Sequence, residues 1–327
     1  MTIYEIAKEA KTSPSSVSRY LNNVKIKEET KKRIEAVLKK YNFKPNPLAR
    51  GLVSKSMRTI GIITIDIRNN HYANTAYTFE QEFRKRGYRI IIFNIADHFE
   101  RSAEYIRNLL SYNVAGIALI GSIFNQFNED NEIMNMLKRI PVVCANGQLN
   151  LPNAYSLLSD DKYGCELSVK YLYEKGRRNI YLVVDSYTDS ALNKIAGFKE
   201  ALSRYGIYSD KNIIRVFSGI DGGTAAVKTL KKMACEFDAI ICIEDVLAVG
   251  VINSLKALGY SVGVDVDVIG FNNTLYSSMT QPSLTTVDTK PKLQAELLSE
   301  MLDNCIKNSK SVETITIKPE LVLRKSA

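Results

Sequence analysis

After residue 59 the chain alternates short apolar runs with amphipathic segments, and this alternation limits the possible fold more than any other feature. A first series predicts strands over 59–65, 89–95, 116–121 and 141–145, with helices over 73–86, 101–113 and 128–139. A second series predicts strands over 156–159, 179–184, 213–217, 239–243 and 266–271, with helices over 163–175, 191–205, 223–233 and 246–258. Nearly continuous apolar strands joined by amphipathic helices are typical of parallel sheets that are covered on both faces. The alternation therefore predicts two α/β lobes.

The remaining C-terminal segments follow the second series. They predict a strand over 284–288, a helix over 291–307 and two closing strands in ETITI and ELVLR. Because they come last, some of them must return to complete the first sheet. We expect a first lobe of about 59–154 plus 288–318 and a second lobe of about 155–287 plus 319–327.

The residues before 59 have helical spacing instead. Thr2 and Glu5 form a capping-box pattern, and Ser13 followed by Pro14 marks the start of a second helix. A third amphipathic helix is predicted over 28–41. In the second helix Val17 and Leu21 lie four apart and can face inward, which leaves Ser15, Ser16 and Arg19 outside. Residues 1–45 therefore predict a helix-turn-helix domain.

Charge is divided unevenly between these two parts. The first 58 residues contain 14 Lys and Arg against 5 Asp and Glu, whereas the rest contains 30 of each. A basic domain on a neutral body suits DNA, because neutralising phosphates releases counterions and provides affinity. The alternative is a solvated basic surface that aids solubility, and the helix-turn-helix pattern favours DNA.

Other classes of protein find little support. No apolar run approaches the roughly 20 residues of a membrane span, and the first helix is not a secretory signal. Five scattered cysteines without a CxxC pair indicate reduced thiols of a cytoplasmic protein, and two histidines offer little for a metal site or a triad. The motifs of dinucleotide, nucleoside-triphosphate, metalloprotease and hydrolase sites are missing. GIDGGT at 219–224 could cradle an anion, but the start of a helix explains it alone and is the favoured interpretation. We therefore expect no enzyme, no cofactor and no metal.

Several runs, in one order along the chain, carry a family resemblance. They are TIYEIAKEA, SSVSRYLN, EETKKRI, LARGL, RTIGIITIDI, IAGFKEAL, FDAIICIEDVLAVGVINSLKALG, VDVIGFNNT, PSLTTVD and ELVLRKS. Across nearly all 327 residues the chain resembles the LacI/GalR family of bacterial transcriptional regulators. The resemblance implies an all-α helix-turn-helix head with a hinge helix, followed by a periplasmic-binding-protein-like domain of two doubly wound parallel-sheet lobes. It also implies a homodimeric repressor of carbohydrate-utilisation genes, which binds a palindromic operator and a sugar or sugar derivative as effector.

The resemblance also assigns DNA contacts. Arg19 is expected to read a guanine, Ser15 and Ser16 to contact bases or phosphates, and Pro14 replaces a residue that often reads a base in relatives. Residues 46–58 correspond to the hinge, where Leu52 would wedge into the minor groove; alternatively they form a plain linker with Leu52 packed on the body. The predicted DNA-binding residues are Thr2, Ser13, Pro14, Ser15, Ser16, Ser18, Arg19, Lys25, Asn46, Ala49 and Leu52.

Effector contacts are expected just past the carboxyl ends of the strands, where parallel sheets bind ligands. The candidates are Asp66, His71, Tyr72, Asn146, Lys194, Glu244, Asp245, Asn272, Asp288 and Thr289. The family usually has Arg at Lys194, Asn at Glu244 and Asp at Asn272. Each candidate has an alternative role as a cap or solvated loop residue, and Asp245 in particular could cap the following helix.

One function is predicted, and two alternatives are kept beside it. The predicted function is that of the regulator. The alternatives are a soluble sugar receptor and an α/β enzyme with a regulatory head. NNT at 272–274 is also similar to catabolite control proteins that bind a phosphorylated carrier protein. Leu275 stands where those proteins carry a phosphate-binding arginine, so that partner is not carried over.

Overall fold

The structure is a computed structural model that describes residues 2–21, 24–41, 43, 58–96, 98–234, 236–307 and 314–327. The chain divides into two compact units, a head up to Met57 and a body from Arg58. The predicted hinge contacts Asn46, Ala49 and Leu52 lie outside the described residues.

Three helices form the head, as predicted. They are α1 (Ile3–Glu9), α2 (Pro14–Leu21) and α3 (Glu28–Lys40). The capping box is present: the Glu5 backbone N–H donates to Thr2 Oγ1 at 3.3 Å, and Thr2 N donates to Glu5 Oε2 at 2.7 Å. Ile6, Val17 and Ile34, one from each helix, are fully buried together. A shared apolar core therefore fixes α2 against the other two helices.

The first lobe of the body contains a six-stranded parallel sheet. Its strands are β1 (Thr59–Thr64), β2 (Arg89–Asn94), β3 (Gly116–Ile120), β4 (Val142–Ala145), β5 (Ala154–Ser159) and β11 (Thr314–Ile317), in the order β11-β5-β4-β3-β1-β2. Its helices are α4 (Asn70–Lys85), α5 (Ser102–Ser111), α6 (Asn131–Leu137) and α12 (Pro291–Ile306), with short 3-10 helices at Phe99–Arg101 and Ser122–Glu129. An apolar cluster covers each face of the sheet.

The second lobe repeats this plan. Its strands are β6 (Ile180–Val184), β7 (Ile213–Arg215), β8 (Ala239–Cys242), β9 (Asp267–Phe271), β10 (Thr285–Asp288) and β12 (Glu320–Val322), in the order β12-β10-β9-β8-β6-β7. Only β12 runs antiparallel to its neighbour. The helices are α7 (Asp161–Glu174), α8 (Asp189–Arg204), α9 (Ile220–Lys232), α10 (Asp245–Ala257) and α11 (Leu275–Met279), with a 3-10 helix at Asp210–Asn212. One large cluster forms the core.

The expected lobe boundary near residue 155 is wrong. Strand β5 pairs in parallel with β4, Ala154 opposite Val142, and with β11, so it belongs to the first lobe. The stretch 146–153, which suggested a boundary, is a helix-free loop between two neighbouring parallel strands. Such strands usually need a crossover of a dozen or more residues, so the shortness of this loop misled the prediction. The chain crosses between the lobes at about 160, 289 and 318.

Smaller differences have local causes. Helix α4 begins at Asn70, before the predicted 73, because Asn69 Oδ1 accepts the His71 backbone N–H at 3.0 Å and caps the helix. The helix predicted over 128–139 is a 3-10 helix and then α6, which starts where Asp130 Oδ1 accepts the backbone N–H groups of Glu132 and Ile133 at 2.9 and 3.0 Å. The sequence did not predict α11.

Candidate functional site

A cleft of about 650 Å³ lies between the two lobes of the body. The carboxyl ends of β1, β3 and β4 supply its first wall, and those of β6, β8 and β9 supply its second. Seven predicted effector residues line it: Asp66, His71, Tyr72, Asn146, Lys194, Glu244 and Asn272. The sequence interpretation missed the following residues of the same cleft: Arg68, Ser122, Asp161, Asp185, Ser186, Ser190, Ser218 and Tyr276.

Three of the predicted effector residues do not line this cleft. The Asp245 carboxylate is 1% exposed and accepts three hydrogen bonds, from Thr274 N at 2.6 Å, Thr274 Oγ1 at 2.8 Å and Thr286 Oγ1 at 2.6 Å. It therefore ties α10 to β10 and to the loop before α11. Burial raises the pKa of Asp245 to about 6, against these hydrogen bonds, which lower it.

Asp288 and Thr289 lie at the second crossing between the lobes. The Asp288 carboxylate accepts from Asn273 Nδ2 at 3.0 Å and from the Lys290 backbone N–H at 2.7 Å. Thr289 is 1% exposed. Gln294 Nε2 donates to the Thr289 carbonyl at 2.6 Å. Both residues are therefore held by the turn that leads into α12, and neither lines the cleft.

Buried charge dominates the second wall of the cleft. Lys194 is 5% exposed, its Nζ donates to the Ile243 carbonyl at 3.3 Å, and it lies 4.2 Å from the centre of the Phe271 ring. Asp161 is equally buried and accepts a hydrogen bond from the Ser190 hydroxyl. Burial raises the pKa of Asp161, although the nearby Lys194 ammonium lowers it.

Glu244 faces the first lobe across the cleft. Asn69 Nδ2 donates to its two carboxylate oxygens at 3.3 and 3.1 Å, which joins the two walls directly. Burial, together with the charge of Asp185, raises the pKa of Glu244 to about 7, whereas Lys194 and Asn69 act in the opposite direction. Burial also raises the pKa of Asp185.

His71 completes the first wall. It is 8% exposed, and its Nδ1 has no hydrogen-bond partner among the described residues. Burial, and after it the charge of Lys194, lowers the pKa of His71 to about 4, so the ring is neutral near pH 7. A buried nitrogen without a partner is a position that a bound molecule can satisfy.

Other contacts also join the walls. The Ser190 backbone N–H donates to Ser122 Oγ at 3.3 Å, and the Leu275 backbone N–H donates to Asn70 Oδ1 at 3.2 Å. Asn125 Nδ2 donates to Asp189 in the same way. All these bonds are polar and lie at cleft edges, so a ligand that enters must compete with them or add to them.

The glycine-rich run 219–224 has a packing explanation. A side-chain carbon at Gly223 would lie 2.0 Å from the Leu247 carbonyl oxygen, and one at Gly250 would lie 1.9 Å from that of Ile220. These glycines allow α9 and α10 to pack closely, so helix packing accounts for them without an anion.

Thiol and membrane features add little to this site. Cys144, Cys165 and Cys242 are buried free thiols, and burial raises the pKa of each, to about 12 for the first two. Cys235 lies outside the described residues. Among the helices that the structure describes, none is both long and apolar enough to cross a membrane.

The head presents the predicted surface on α2. Ser13 Oγ accepts the Ser16 backbone N–H at 3.2 Å and lies 2.8 and 2.9 Å from the hydroxyls of Ser15 and Ser16. Pro14, Ser15 and Arg19 are exposed on this helix, Ser16 and Ser18 are partly buried, and Thr2 and Lys25 are exposed on the segments beside it. Tyr20 Oη donates to Glu35 at 3.0 Å and ties α2 to α3. The surface is therefore small, polar and basic on a fixed helix.

The pKa of Glu244 predicts a pH effect on stability. Its pKa of about 7 in the folded protein exceeds the 4.5 of an ordinary Glu. The contribution of this pKa difference to the free energy of unfolding is therefore complete below pH 4.5 and is lost as the pH rises through 7. Between about pH 5 and about pH 8 the ligand-free protein should lose about 2 kcal/mol more of its unfolding free energy than the variant Glu244→Gln. Urea unfolding at both pH values measures this difference.

The comparison with the variant is necessary because other groups titrate in the same cleft. Burial raises the pKa of Asp185, whose charge acts on Glu244, and the lowered pKa of His71 has the opposite effect on stability between about pH 4 and 6.5. The Lys194 ammonium and the Asn69 amide also interact with Glu244. Parallel pH profiles of parent and variant would contradict a raised pKa at Glu244.

Comparisons with known proteins agree for both units. Residues 2–46 match the bacterial regulatory proteins of the lacI family, and residues 169–327 match a periplasmic binding protein-like domain. An HTH-type transcriptional regulator of Lachnoclostridium phytofermentans is 32% identical, covering 100% of this chain and 99% of that protein. Catabolite control protein A of Staphylococcus epidermidis is 32% identical over 88% of this chain and 87% of its own length.

Solved structures show the same fold. The lac repressor dimer bound to operator and the anti-inducer ONPF has a TM-score of 0.89, with 22% identity over 100% of this chain and 98% of that chain. A CelR–cellobiose complex has a TM-score of 0.72 with 19% identity and full coverage of both chains. With one relative that is 32% identical over 100% of this chain and a family model that matches residues 2–46, the chain belongs to the LacI family of bacterial regulatory proteins.

Proposed function

We propose that this regulator is a dimeric repressor that binds a palindromic operator through α2 and responds to a small molecule held in the interlobe cleft. The observation that carries the proposal is the pairing of two surfaces in one chain. One is a basic helix with exposed Arg19 in the head, and the other is a cleft whose two walls are joined by few polar bonds.

Arg19 has the chemistry of a base-reading residue. Its guanidinium can donate two parallel hydrogen bonds to O6 and N7 of guanine in the major groove. The hydroxyls of Ser15 and Ser16 lie on the same helix and suit phosphates or base edges, while Ser13, Ser18, Lys25 and Thr2 suit phosphates. Pro14 supports the helix start and offers no donor.

Dimerisation would present two copies of α2 to the operator. Two helices related by a two-fold axis require half-sites related in the same way, so the operator is expected to be a near-palindrome. Asn46, Ala49 and Leu52 are proposed to contact the DNA at its centre, where the paired hinge segments would lie and Leu52 would wedge into the minor groove.

The cleft would couple effector and operator by its closure. A ligand that contacts both walls favours one angle between the lobes, and this angle changes the spacing of the paired hinge segments. Asp66, Asn146 and Asn272 supply carboxylate and amide groups for hydroxyls, and the Tyr72 ring can cover an apolar face of a sugar. The proposed effector is therefore a sugar or sugar derivative.

Operator selection tests the proposal. Full-length protein is incubated with random duplexes, bound DNA is sequenced after several rounds, and affinity for the selected duplex is measured against salt and candidate effectors. We expect a near-palindromic sequence, an affinity that falls steeply with added salt and a shift in affinity with at least one effector. Equal affinity for random and selected duplexes would instead favour a soluble receptor.

The hinge proposal has its own prediction. Leu52→Ala should weaken the complex with the selected operator and reduce the bend in the DNA, because an alanine is too short to unstack a base step. Binding measurements and circular-permutation bending assays detect both effects, while effector affinity should change little. An equal bend in variant and parent would remove Leu52 from this role.

A further inference from the structure

The cleft contains more carboxyl groups than it has cationic side chains to pair with them. Asp161, Asp185 and Glu244 line its second wall, and among the described residues of that lobe Lys194 is the single lysine or arginine that lines the cleft. On the first wall, Arg68 is already paired with Asp66, with Nη2 at 2.7 Å from Oδ2, at a position where the arginine side chain is 77% exposed. The interior therefore has three carboxyl groups against one ammonium.

Lys194 does not lie free between the carboxylates. Its Nζ donates to the Ile243 carbonyl and packs over the Phe271 ring, both in the second lobe. The charge of Asp185 acts unfavourably on ionised Glu244 despite the presence of this lysine. Two partly buried carboxylates next to each other cannot both ionise without cost unless a further positive charge approaches.

A buried side chain on the first wall, His71, indicates that a ligand binds opposite these carboxyl groups. His71 is more than nine-tenths buried, lines the cleft, and has an Nδ1 atom with no partner among the described residues. Its lowered pKa keeps the ring neutral, so it does not repel a cation and can exchange a hydrogen bond with an amine or hydroxyl group. The acidic wall and the unsatisfied imidazole therefore face one volume from opposite sides.

We propose that the effector of this cleft is a small hydroxylated molecule that carries a protonated amino group, bound between the carboxylates of Asp185 and Glu244. The inference depends on the proposed function, in which the cleft binds the effector, and it defines the class of that effector. An anionic ligand such as a sugar phosphate would add to the negative excess.

A metal ion fits less well than an ammonium group. Over the part of the chain that the structure describes, no group of three or more His, Cys, Asp and Glu side chains is arranged to hold one metal ion. An ammonium needs only hydrogen-bond acceptors around it, and the hydroxyls of Ser186, Ser190 and Ser218 in the same cleft can serve neighbouring hydroxyl groups of the ligand.

Matched sets of compounds test directly whether the effector carries a positive charge. Melting temperature and calorimetric affinity of the full-length protein are measured near pH 7 with glucosamine, galactosamine, mannosamine and 1-amino-1-deoxysorbitol. Each is compared with its neutral parent, its N-acetyl derivative and the 6-phosphate of the parent. At least one amine should bind tenfold or more tightly than its neutral parent and raise the melting temperature, and the phosphates should not bind.

Two variants test whether the ammonium group of the ligand lies between Asp185 and Glu244. Glu244→Gln and Asp185→Asn keep the size of each side chain but remove its charge, so each should reduce the preference for the amine over its neutral parent by about tenfold or more. Glu200→Gln is the matched control, because Glu200 pairs with Lys162 at 2.7 Å on the surface of the second lobe; its preference should equal that of the parent protein.

Several results would overturn the inference. They are a neutral or phosphorylated compound that binds as tightly as its amine, stabilisation by Mg²⁺ or Ca²⁺ chloride but by no amine, a screen in which no amine binds, or an amine preference unchanged in both variants. Binding to the selected operator is measured in parallel. Loss of the amine result with intact operator binding rejects only this inference, whereas failure of operator binding rejects the proposed function.

Discussion

Replacing Arg19 by alanine is expected to weaken binding to the selected operator by about 1–3 kcal/mol, or roughly 5- to 150-fold. The reason is that a fork of two hydrogen bonds to one guanine is lost, together with a positive charge near the DNA backbone. The preference for one base pair in each half-site should relax at the same time. Competition binding with all four bases at each operator position measures both effects.

Arg33→Ala is the matched control for this experiment. Arg33 is equally exposed but lies on α3, outside the proposed reading helix. Loss of Arg33 should weaken binding to all duplexes by the same factor, and this factor should be smaller than the one for Arg19→Ala at the selected operator. It should also lower the salt dependence of binding, as expected for a phosphate contact. If Arg19→Ala also weakened all duplexes uniformly, Arg19 would contact phosphate and another residue would read the base.

Asp245→Ala is expected to lower the free energy of unfolding by about 3–5 kcal/mol. Three donors, Thr274 N, Thr274 Oγ1 and Thr286 Oγ1, converge on this carboxylate inside the second lobe. All three would remain buried without an acceptor in the variant. Urea unfolding followed by circular dichroism measures the loss.

Asp221→Ala provides the comparison in the first turn of a neighbouring helix. Both aspartates lie in the first turn of their helices, but Asp221 is exposed, so its replacement should cost about 1 kcal/mol or less. A similar small loss at Asp245 would mean that its network does not stabilise the lobe. Its original assignment as an effector residue would then have to be reconsidered.

Much of the fold follows from local sequence patterns. The strands of both sheets are at the predicted positions to within a few residues, because a strand buried on both faces must be apolar along its length. The caps at Thr2 and Ser13 place the first two helices correctly, since only a short polar side chain can satisfy a helix N-terminus at those points.

The lobe boundary could not be read in the same way. A polar loop looks alike whether it joins two lobes or two strands of one sheet. Only the pairing of β5 with β4 and β11 places residues 154–159 in the first lobe. The pairing with β11 joins segments more than a hundred residues apart, and local spacing does not contain this information.

The cleft residues show the same difference between what local sequence predicts and what only the tertiary structure reveals. Residues directly after strand ends, such as Asp66, Asn146 and Glu244, were found because parallel strands bring their carboxyl ends to one edge. Asp161 and Ser190 were missed because they belong to the first turns of α7 and α8, and a helix start gives no sign of what it faces. Asp245 was predicted to contact the effector for the same reason as Glu244, its neighbour in the chain. Its side chain instead points into the core of the second lobe.

By itself the sequence determined the basic helical head, the two α/β lobes and the family, since apolar period, capping residues and charge are properties of neighbouring residues. Only the tertiary structure decided that Glu244, Asp185 and Asp161 share one cleft with Lys194, and that Asp245 does not line it. The physical reason is that burial and the distance between charges depend on how remote strand ends and helix starts are brought together by the sheets.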